Sequence, residues 1–569
     1  MANQLHQNST VDAAVLAIVN EVRAKSALLT GPRGPVAELR VGYEEFMRRA
    51  AEVRGRPLLY PYLGSGLGNG ALVELADGSV KWDMICGIGV HFFGHSDPDL
   101  AEASLRGALD DTLKHGNLMS NFEAYRLAET LLAEAKKKSR LRHAYIATGG
   151  AMANENALKV CYQKKVLDHM RSLAADPSAK PETLLARATP TMRVIAFKDC
   201  FMGRSLTMAQ IGDNHAGREG LPNGVFVDYM PFWDPAAAER MGGKKRFIDM
   251  AVWHLEQYIH RYPGAHACFI FESCQGEGGF NVGDRDYLKA LMDVCKHHKI
   301  AVWDDEIQTF GRSPSSMFMY EHFDLGEYVD VFCVGKMTQA CVTMWSEEFN
   351  PKSAILSGTF TGEGASFRVG QRVIERLRDG HYYGPGGAIE RHHEQFRRHA
   401  MALVAKHPEW FPKIPEVTDV VGGLGAMMRF TPFAGKKDKV MKACKTCFEE
   451  GVILFYAGHG PYHVRMLPPL GRTGSNGGLL GRQVGHPTES ADSSSGILST
   501  YAEPLSRFVL CLEVCCPAGL GCGRFFYSAP EDTPSHQSWT ARYPTGRFRV
   551  SARTLSVGAG PGCLDALAG

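Results

Sequence analysis

The chain has 569 residues, of which 44% are apolar and 22% charged, and its formal net charge at pH 7 is +2. This length accommodates more than one domain around a large core. The small net charge gives no reason to expect nucleic acid or an acidic membrane surface as a partner, and no apolar run approaches the length of a transmembrane helix. The 15 cysteines follow no repeating frame, which favours reduced thiols over a disulfide scaffold.

The N-terminal residues show neither the basic-then-apolar pattern of a secretory signal nor the arginine richness of a transit peptide, so a cytoplasmic location is expected. Apolar residues at helical spacing predict an amphipathic helix over residues 12–25. Residues 58–90 predict short strands, because two glycine-containing turn signals separate their apolar runs. Helical periodicity then returns and predicts a helical region over residues 99–135.

From residue 144 onwards, strand-like runs alternate with helical patterns. The strand-like runs lie at 144–147, 194–197, 267–271, 299–302 and 331–334, and the helical patterns between them at 151–167, 251–262 and 285–298. This alternation predicts an α/β fold with a mostly parallel central sheet and helices on both faces. Residues 385–410 predict a helix, and residues 417–430 and 452–467 predict a smaller α+β part outside that sheet.

The composition changes sharply near Leu470. No lysine and no methionine lies beyond Met466, and the remaining residues are rich in Gly, Ser, Pro and Arg without sustained periodicity. We interpret this tail as disordered and foreign to the folded part, of the kind that an altered reading frame produces. The predicted organisation is therefore an N-terminal segment at 1–98 that joins the small domain, a large domain at 99–370, a small domain at 371–470 and the tail at 471–569.

The tail also carries four closely spaced cysteines. Their spacing fits no common zinc frame, and no metal site is predicted. These cysteines are Cys511, Cys515, Cys516 and Cys522.

Two residues that follow neighbouring strands suggest a shared chemistry. Asp305 lies in an acidic run after the strand at 299–302, and Lys336 follows the strand at 331–334. Open α/β folds bind ligands at the carboxyl edge of the sheet. A buried acid there can keep a cofactor's ring nitrogen protonated, and a lysine can hold its aldehyde as a Schiff base. Each residue alone is also compatible with a solvated acid or a surface lysine.

Three loops offer further contacts, each with an ordinary structural alternative. Gly149-Gly150 precedes a helix, where backbone amides and the helix N-terminus favour a phosphate, although such a pair is also a common tight turn. Phe201 could stack on an aromatic ring and Arg204 could bind a carboxylate, or they could be a core ring and a surface charge. The hydroxyls of residues 357–362 offer a second phosphate contact or an ordinary loop.

Together these motifs resemble the class III aminotransferases, fold type I pyridoxal-phosphate enzymes that act largely on ω-amino groups. The resemblance covers about residues 50–470 and is specific in its order and spacing. It departs at Ser273, where the family usually has proline, and at Met152, where it usually has an acid. The matching motifs are Gly94-His95-Ser96-Asp97-Pro98, Gly149-Gly150-Ala151, Phe201-Met202-Gly203-Arg204, Glu272 to Gly279, Asp305-Glu306-Ile307-Gln308, Gly335-Lys336, Thr359-Phe360 and Arg465-Met466-Leu467-Pro468-Pro469.

The resemblance implies roles for the residues around the ring of pyridoxal 5′-phosphate. Lys336 matches the Schiff-base lysine that also moves the proton. Asp305 matches the acid that pairs with the ring nitrogen. Phe201 matches the stacking aromatic residue, Ile307 the aliphatic residue on the other ring face, and Gln308 the partner of the phenolic oxygen.

The resemblance also implies how the phosphate is bound. Gly150 and Ala151 match phosphate-binding backbone amides. Thr359 matches a threonine that reaches the phosphate in the neighbouring subunit. A homodimer with shared active sites is therefore expected.

Three residues match the family's substrate contacts. Arg465 matches the arginine that binds an α-carboxylate, and Glu277 matches the glutamate that masks it when the donor presents an ω-amine. Arg204 matches the arginine that grips the far carboxylate. The resemblance therefore implies a ping-pong reaction that transfers an ω-amino group from an amino acid or amine to a 2-oxo acid. The expected acceptor is 2-oxoglutarate.

Two alternatives to this function remain open. The same fold also serves aminomutases, decarboxylases and epimerases, and a chain with an aberrant C-terminus could be a non-catalytic product. The sequence does not distinguish ornithine, acetylornithine, lysine and 4-aminobutyrate as amino donors.

Overall fold

A computed structural model describes residues 2–110, 115–116, 118–175 and 191–470. The C-terminal tail, for which the sequence predicts disorder, lies outside these residues. None of the described helices combines the length and apolarity that a bilayer crossing needs. The boundaries assigned to the domains from sequence stay predictions.

The N-terminal part consists of helices followed by a small antiparallel meander. The helix Ser9–Ser26 confirms the predicted amphipathic segment and buries Val15 and Val19. Its N-cap is Asn8, whose side chain accepts from the amides of the first turn. The remaining elements of this part are the helices Ala2–His6, Ala37–Arg54 and Cys86–Gly89, and the strands β1 (Gly64–Asn69), β2 (Leu72–Leu75) and β3 (Val80–Asp83).

A seven-stranded sheet in the order β4-β10-β9-β8-β7-β5-β6 forms the centre of the fold. Strand β10 runs antiparallel to both of its neighbours, and all the other neighbouring pairs are parallel. The prediction of a mostly parallel sheet is therefore confirmed. The strands are β4 (Leu141–Ala147), β5 (Arg193–Phe197), β6 (Phe226–Met230), β7 (His266–Phe271), β8 (Ala301–Glu306), β9 (Val331–Val334) and β10 (Cys341–Ser346).

Helices cover both faces of this sheet, because side chains along each strand alternate between two apolar cores. In β7, Phe269 and Phe271 enter one core, whereas Cys268 and Ile270 enter the other. The longest helix, Gly150–Ala174, packs against the second core. The other helices of this region are Pro98–Gly107, Phe122–Ala135, Leu206–Ile211, His215–Arg218, Pro235–Arg240, Lys244–Arg261, Arg285–His297, Met319–His322 and Gly364–Asp379.

The C-terminal part of the described chain has its own sheet in the order β11-β12-β15-β14, and β13 pairs in parallel with β3 of the N-terminal part. These two parts share a third apolar core, in which Trp82 and Phe430 are buried. The elements are the helices Ala388–Lys406 and Lys437–Glu449 and the strands β11 (Val421–Leu424), β12 (Met427–Phe430), β13 (Val452–Ile453), β14 (Phe455–Ala457) and β15 (His463–Met466).

The structure corrects two predicted elements. Residues 99–135 form two helices, Pro98–Gly107 and Phe122–Ala135, because the first ends at a glycine and Asn121 caps the start of the second. The acids expected after the strand at 299–302 lie within β8 itself, which runs to Glu306. The strand was predicted to end too early because these residues are polar, although every residue of β8 is buried.

Candidate active site

Strands β8 and β9 are neighbours and deliver the two predicted catalytic residues to one edge of the sheet. Asp305 lies opposite Cys333 in the parallel register. Because β9 ends at Val334, Lys336 is the second residue after the strand and begins a short helical turn. Its backbone φ of 53° is in the left-handed region that non-glycine residues seldom adopt, a form of strain often found at functional sites.

A cavity of about 520 Å³ opens at this edge. All of the sequence-predicted site residues line it except Arg465 and Thr359. The lining consists of Val90, Gly150, Ala151, Asn154, Phe201, Met202, Gly203, Arg204, Glu272, Gly276, Glu277, Asp305, Ile307, Gln308, Lys336, Gln339 and Cys341.

Asp305 is held in place by two hydrogen bonds. The side-chain amide of Asn154 donates to Oδ2 at 2.7 Å, and the backbone amide of Ile307 donates to Oδ1 at 2.9 Å. Burial raises the pKa of Asp305 to about 6, while these bonds and the charge of Lys336 oppose that rise. A carboxylate held in a dry cavity in this way is suited to pairing with a cation.

Lys336 has an unusually acidic ammonium group. Burial, followed by the positive charge of Arg465, lowers the pKa of Lys336 to about 8. The neutral amine, which a nucleophile toward an aldehyde requires, is therefore far more populated near pH 7 than for an ordinary lysine.

Two further polar residues at the cavity were not identified from the sequence. Asn154 lies on the first turns of the helix Gly150–Ala174, and no sequence pattern indicated which acid its amide would contact. Glu272 directly follows β7, and this placement at the end of a strand was an available signal. Its carboxylate accepts from the backbone amides of Phe201 at 3.1 Å and Gly276 at 2.9 Å. Burial and the nearby Asp305 raise the pKa of Glu272 to about 8.

The helix Gly150–Ala174 begins at the cavity with Gly149 as its N-cap, and no side chain caps its first turn. The amides of that turn have no intrahelical partners, which favours an anion at this position. A Cβ on Gly150 would lie 3.0 Å from Cγ2 of Ile307, so glycine permits the helix to start close to that side chain.

Arg465 and Glu277 form an ion pair beside the cavity. Nη2 of Arg465 donates to Oε1 of Glu277 at 2.7 Å, and Nη1 donates to the carbonyl of Gly276 at 3.3 Å. Arg465 is fully buried, and its guanidinium lies 5.2 Å from the ring centroid of Phe455. The expected contact between these two residues is therefore present in the structure.

The remaining two predicted residues occupy more exposed positions. The Arg204 guanidinium lies 5.3 Å from the ring centroid of Phe201 at the exposed side of the cavity. Thr359 does not line the cavity. It is exposed and lies against Gly116, where an added Cβ would be 2.1 Å from the Thr359 carbonyl oxygen.

The residues of the cavity fit pyridoxal 5′-phosphate. Among the described residues, the buried amide oxygens Asn154 Oδ1 and Gln308 Oε1 have no hydrogen-bond partner, although buried polar atoms are normally paired. The amine of Lys336 suits the aldehyde of that cofactor, and the carboxylate of Asp305 suits its ring nitrogen. The uncapped N-terminus of the helix Gly150–Ala174 suits its phosphate.

Comparison with known proteins agrees with this description. Residues 64–474 match the family model "Aminotransferase class-III". The chain therefore belongs to the class III aminotransferases, whose cofactor is pyridoxal 5′-phosphate.

Relatives of known sequence include two acetylornithine aminotransferases. The mitochondrial protein of Eremothecium gossypii is 29% identical over 52% of this chain and 64% of its own length, and that of Methanocaldococcus jannaschii is 30% identical over 47% and 56%. The matches thus span less than two thirds of these relatives. A 4-aminobutyrate aminotransferase of Mycobacterium tuberculosis is 26% identical over 74% of this chain and 90% of its length.

Solved structures show the same fold. A lysine aminotransferase from M. tuberculosis has a TM-score of 0.64 at 19% identity and covers 83% of this chain and 100% of its own. An ornithine aminotransferase from Toxoplasma gondii has a TM-score of 0.61 at 18% identity and covers 85% of this chain and 100% of its own.

Proposed function

We propose that this protein is an aminotransferase that moves a terminal amino group from an amino acid or amine to a 2-oxo acid, with 2-oxoglutarate as the acceptor. The observation that carries the proposal is the single cavity lined by both Lys336 and Asp305, with the Arg465–Glu277 ion pair beside it. Pyridoxal 5′-phosphate supplies the electron sink for the carbanion that forms when the substrate loses a proton.

Lys336 would perform the covalent and proton-transfer work. Its amine, with a pKa of about 8, is available as a nucleophile toward the cofactor aldehyde. With cofactor and substrate bound, Nζ of Lys336 would accept the proton from the substrate carbon that bears the amino group and would return it at a different carbon. Lys336 lies in a short turn at the cavity wall, a placement from which one side chain would serve both proton transfers.

Asp305 would hold the ring nitrogen of the cofactor in its protonated state. The bonds from Asn154 and Ile307 fix the direction of its carboxylate. Opposite charges about 4 Å apart interact by roughly 4 kcal/mol at an effective dielectric constant near 20, which corresponds to about three pKa units. That interaction suffices to keep the ring protonated at neutral pH.

The ion pair supports two different substrates in one site. A 2-oxo acid presents a carboxylate next to the reacting carbon, which Arg465 can bind in place of Glu277. A terminal amine presents none, and Glu277 then keeps the buried guanidinium paired, which avoids the cost of an uncompensated charge. The relatives' names, which include acetylornithine, 4-aminobutyrate, lysine and ornithine, support a donor with a terminal amino group.

A donor screen tests the proposal. The purified full chain, loaded with cofactor, is given 2-oxoglutarate and each of 4-aminobutyrate, ornithine, acetylornithine and lysine, and glutamate is measured. At least one donor is expected to give sustained turnover, and Lys336→Ala is expected to lower it by on the order of a thousandfold or more. Turnover that continues without a 2-oxo acid would instead favour a mutase, decarboxylase or epimerase.

The non-catalytic alternative is tested with the same assay. The full chain and a version that ends at Leu470 are compared for solubility, for the visible absorbance of bound cofactor and for glutamate formation. An active full chain excludes the alternative. A full chain that neither binds cofactor nor turns over any donor contradicts the proposed function.

A further inference from the structure

A second cavity, of about 560 Å³, lies at the opposite edge of the central sheet. Ala267 and Ala301, which stand at the amino ends of β7 and β8, contribute to its floor. The C-terminal half of the helix Gly150–Ala174 forms one wall of this second cavity. The N-terminal end of the same helix reaches the cavity lined by Lys336 and Asp305, which we call the cofactor cavity. The two cavities have no lining residue in common.

Positive charge dominates the lining of this second cavity. Six cationic side chains face three carboxylates, which leaves three positive charges unbalanced among the described lining residues. The cations are Arg140, Lys164, Lys165, Arg171, Lys296 and Lys299, and the carboxylates are Asp168, Asp330 and Glu348.

Four of the cations already share the three carboxylates. Asp330 accepts from Lys296 at 2.6 Å and from Arg140 at 3.3 Å. Asp168 pairs with Lys164 and, at 3.1 Å, with Arg171. Glu348 is likewise divided between Arg140 at 3.3 Å and Lys164 at 3.2 Å. No carboxylate of the lining is left over for another cation.

Lys165 is the residue that points to a ligand. Its side chain is only 8% exposed, and among the described residues no carboxylate lies within ion-pair distance of its ammonium group. Its recorded hydrogen bond goes to the carbonyl of Lys299 at 3.3 Å. Burial lowers the pKa of Lys165, and the charge of the nearby Asp168, which is paired with Lys164 and Arg171, only partly offsets this. Lys299 brings a second cation without a carboxylate partner to the same wall.

We propose that this cavity binds a compact anion that carries phosphate groups. Lysine ammonium groups bind phosphate oxygens as point charges, and arginines can bind them through two parallel N–H bonds. A phosphate group offers several oxygens and up to two negative charges, so one ligand can neutralise Lys165 and Lys299 together. The volume exceeds that of a single phosphate and accommodates a diphosphate or a small phosphorylated metabolite.

Pyrophosphate titration of the cofactor-loaded full chain tests the proposal by calorimetry. Cofactor loading fills the cofactor cavity, so binding there is excluded as long as the visible absorbance of the cofactor does not change. The wild-type chain is expected to bind one pyrophosphate. Lys165→Gln is expected to weaken binding by about tenfold or more, and adding Lys299→Gln to abolish it, since each change removes one unpaired charge.

Lys159→Gln provides the matched control, because Lys159 lies on the same helix but is exposed and outside the cavity. It is expected to bind pyrophosphate like the wild-type chain. Lys299→Gln alone, at an exposed position, is expected to weaken binding without altering the melting temperature, which keeps the test valid if Lys165→Gln does not fold. The proposal would be overturned if the wild-type chain did not bind pyrophosphate, or if Lys159→Gln weakened binding as much as Lys165→Gln. It would also be overturned if the cofactor absorbance were lost during the titration, or if the wild-type chain bound citrate as tightly as pyrophosphate.

Discussion

At the scale of single residues, three consecutive acids of β8 face two different environments. Asp305 faces the cofactor cavity. Asp304 and Glu306 point to the other face of β8, because side chains alternate along a strand. Glu306 accepts from the backbone amides of Met319 at 2.8 Å and Tyr320 at 2.7 Å, and is thus bound to protein rather than solvent. Sequence motifs identified Asp305. They could not show the contacts of Glu306, because its partners Met319 and Tyr320 lie more than ten residues further along the chain.

The pKa of Lys336 predicts how cofactor binding depends on pH. Below pH 8 the amine is mainly protonated, and only its neutral fraction can attack the aldehyde. Its neutral fraction rises from roughly a tenth at pH 7 to roughly nine tenths at pH 9 for a pKa of about 8. Rebinding of pyridoxal 5′-phosphate by the cofactor-free chain, followed by stopped-flow absorbance, should therefore accelerate about tenfold over that range and then level off.

A rate that keeps rising steeply between pH 9 and pH 10 would show that the amine has its ordinary pKa. Lys159→Gln, which removes an exposed lysine that does not line the cavity, should leave the profile unchanged. The comparison separates the titration of Lys336 from that of surface amines.

At the scale of elements, periodicity predicted several of the helical segments but not where they end, and it missed the helices Ala37–Arg54 and Gly364–Asp379. Five of the seven strands of the central sheet followed from the alternation of strand-like and helical patterns. Strand β6 and the antiparallel strand β10 were not predicted from the sequence. The break between Gly107 and Asn121 was missed because apolar residues continue through it. Prediction of the site had a similar limit. Site residues that follow strands could be recognised from the sequence, whereas the contact of Asn154 with Asp305 depends on how a helix packs on the sheet.

Close packing of two helices predicts the effect of one substitution. A Cβ on Gly107 would lie 2.5 Å from Cα of Ala365 and 2.7 Å from the carbonyl oxygen of Gly364, at the start of the helix Gly364–Asp379. Backbone atoms cannot move aside as a flexible side chain can. Gly107→Ala should therefore lower the free energy of unfolding by about 1–3 kcal/mol, measured by urea denaturation of the cofactor-loaded chain.

Gly42 offers the matched control, since it lies in the helix Ala37–Arg54 and an added Cβ would have no atom within 4 Å. Gly42→Ala should be neutral or stabilise the chain by up to about 1 kcal/mol, because alanine favours helix. Equal destabilisation by both substitutions would contradict the role assigned to the close approach at Gly107.

At the scale of the whole molecule, the surface around Thr359 suggests a second copy of the chain. Thr361 donates its amide to the carbonyl of His115, which places the Thr359 loop beside residues 118–125. Several large apolar side chains there are exposed, including Leu118 at 103%, Phe122 at 80% and Phe360 at 48%. Extended apolar surface of this kind marks interaction sites. We propose that this surface forms a homodimer in which Thr359 completes the partner's cofactor cavity.

Subunit mixing tests that proposal. If each site combines Lys336 of one chain with Thr359 of the other, Lys336→Ala and Thr359→Val chains are each defective alone but form one intact site per mixed dimer. Random reassociation after unfolding should then restore about a quarter of the wild-type activity per chain, because half of the dimers are mixed and each has one working site. A chain that carries both substitutions, mixed with Lys336→Ala, should restore none. No recovery in the first mixture, despite mixed dimers shown by mass spectrometry, would place Thr359 outside the shared site.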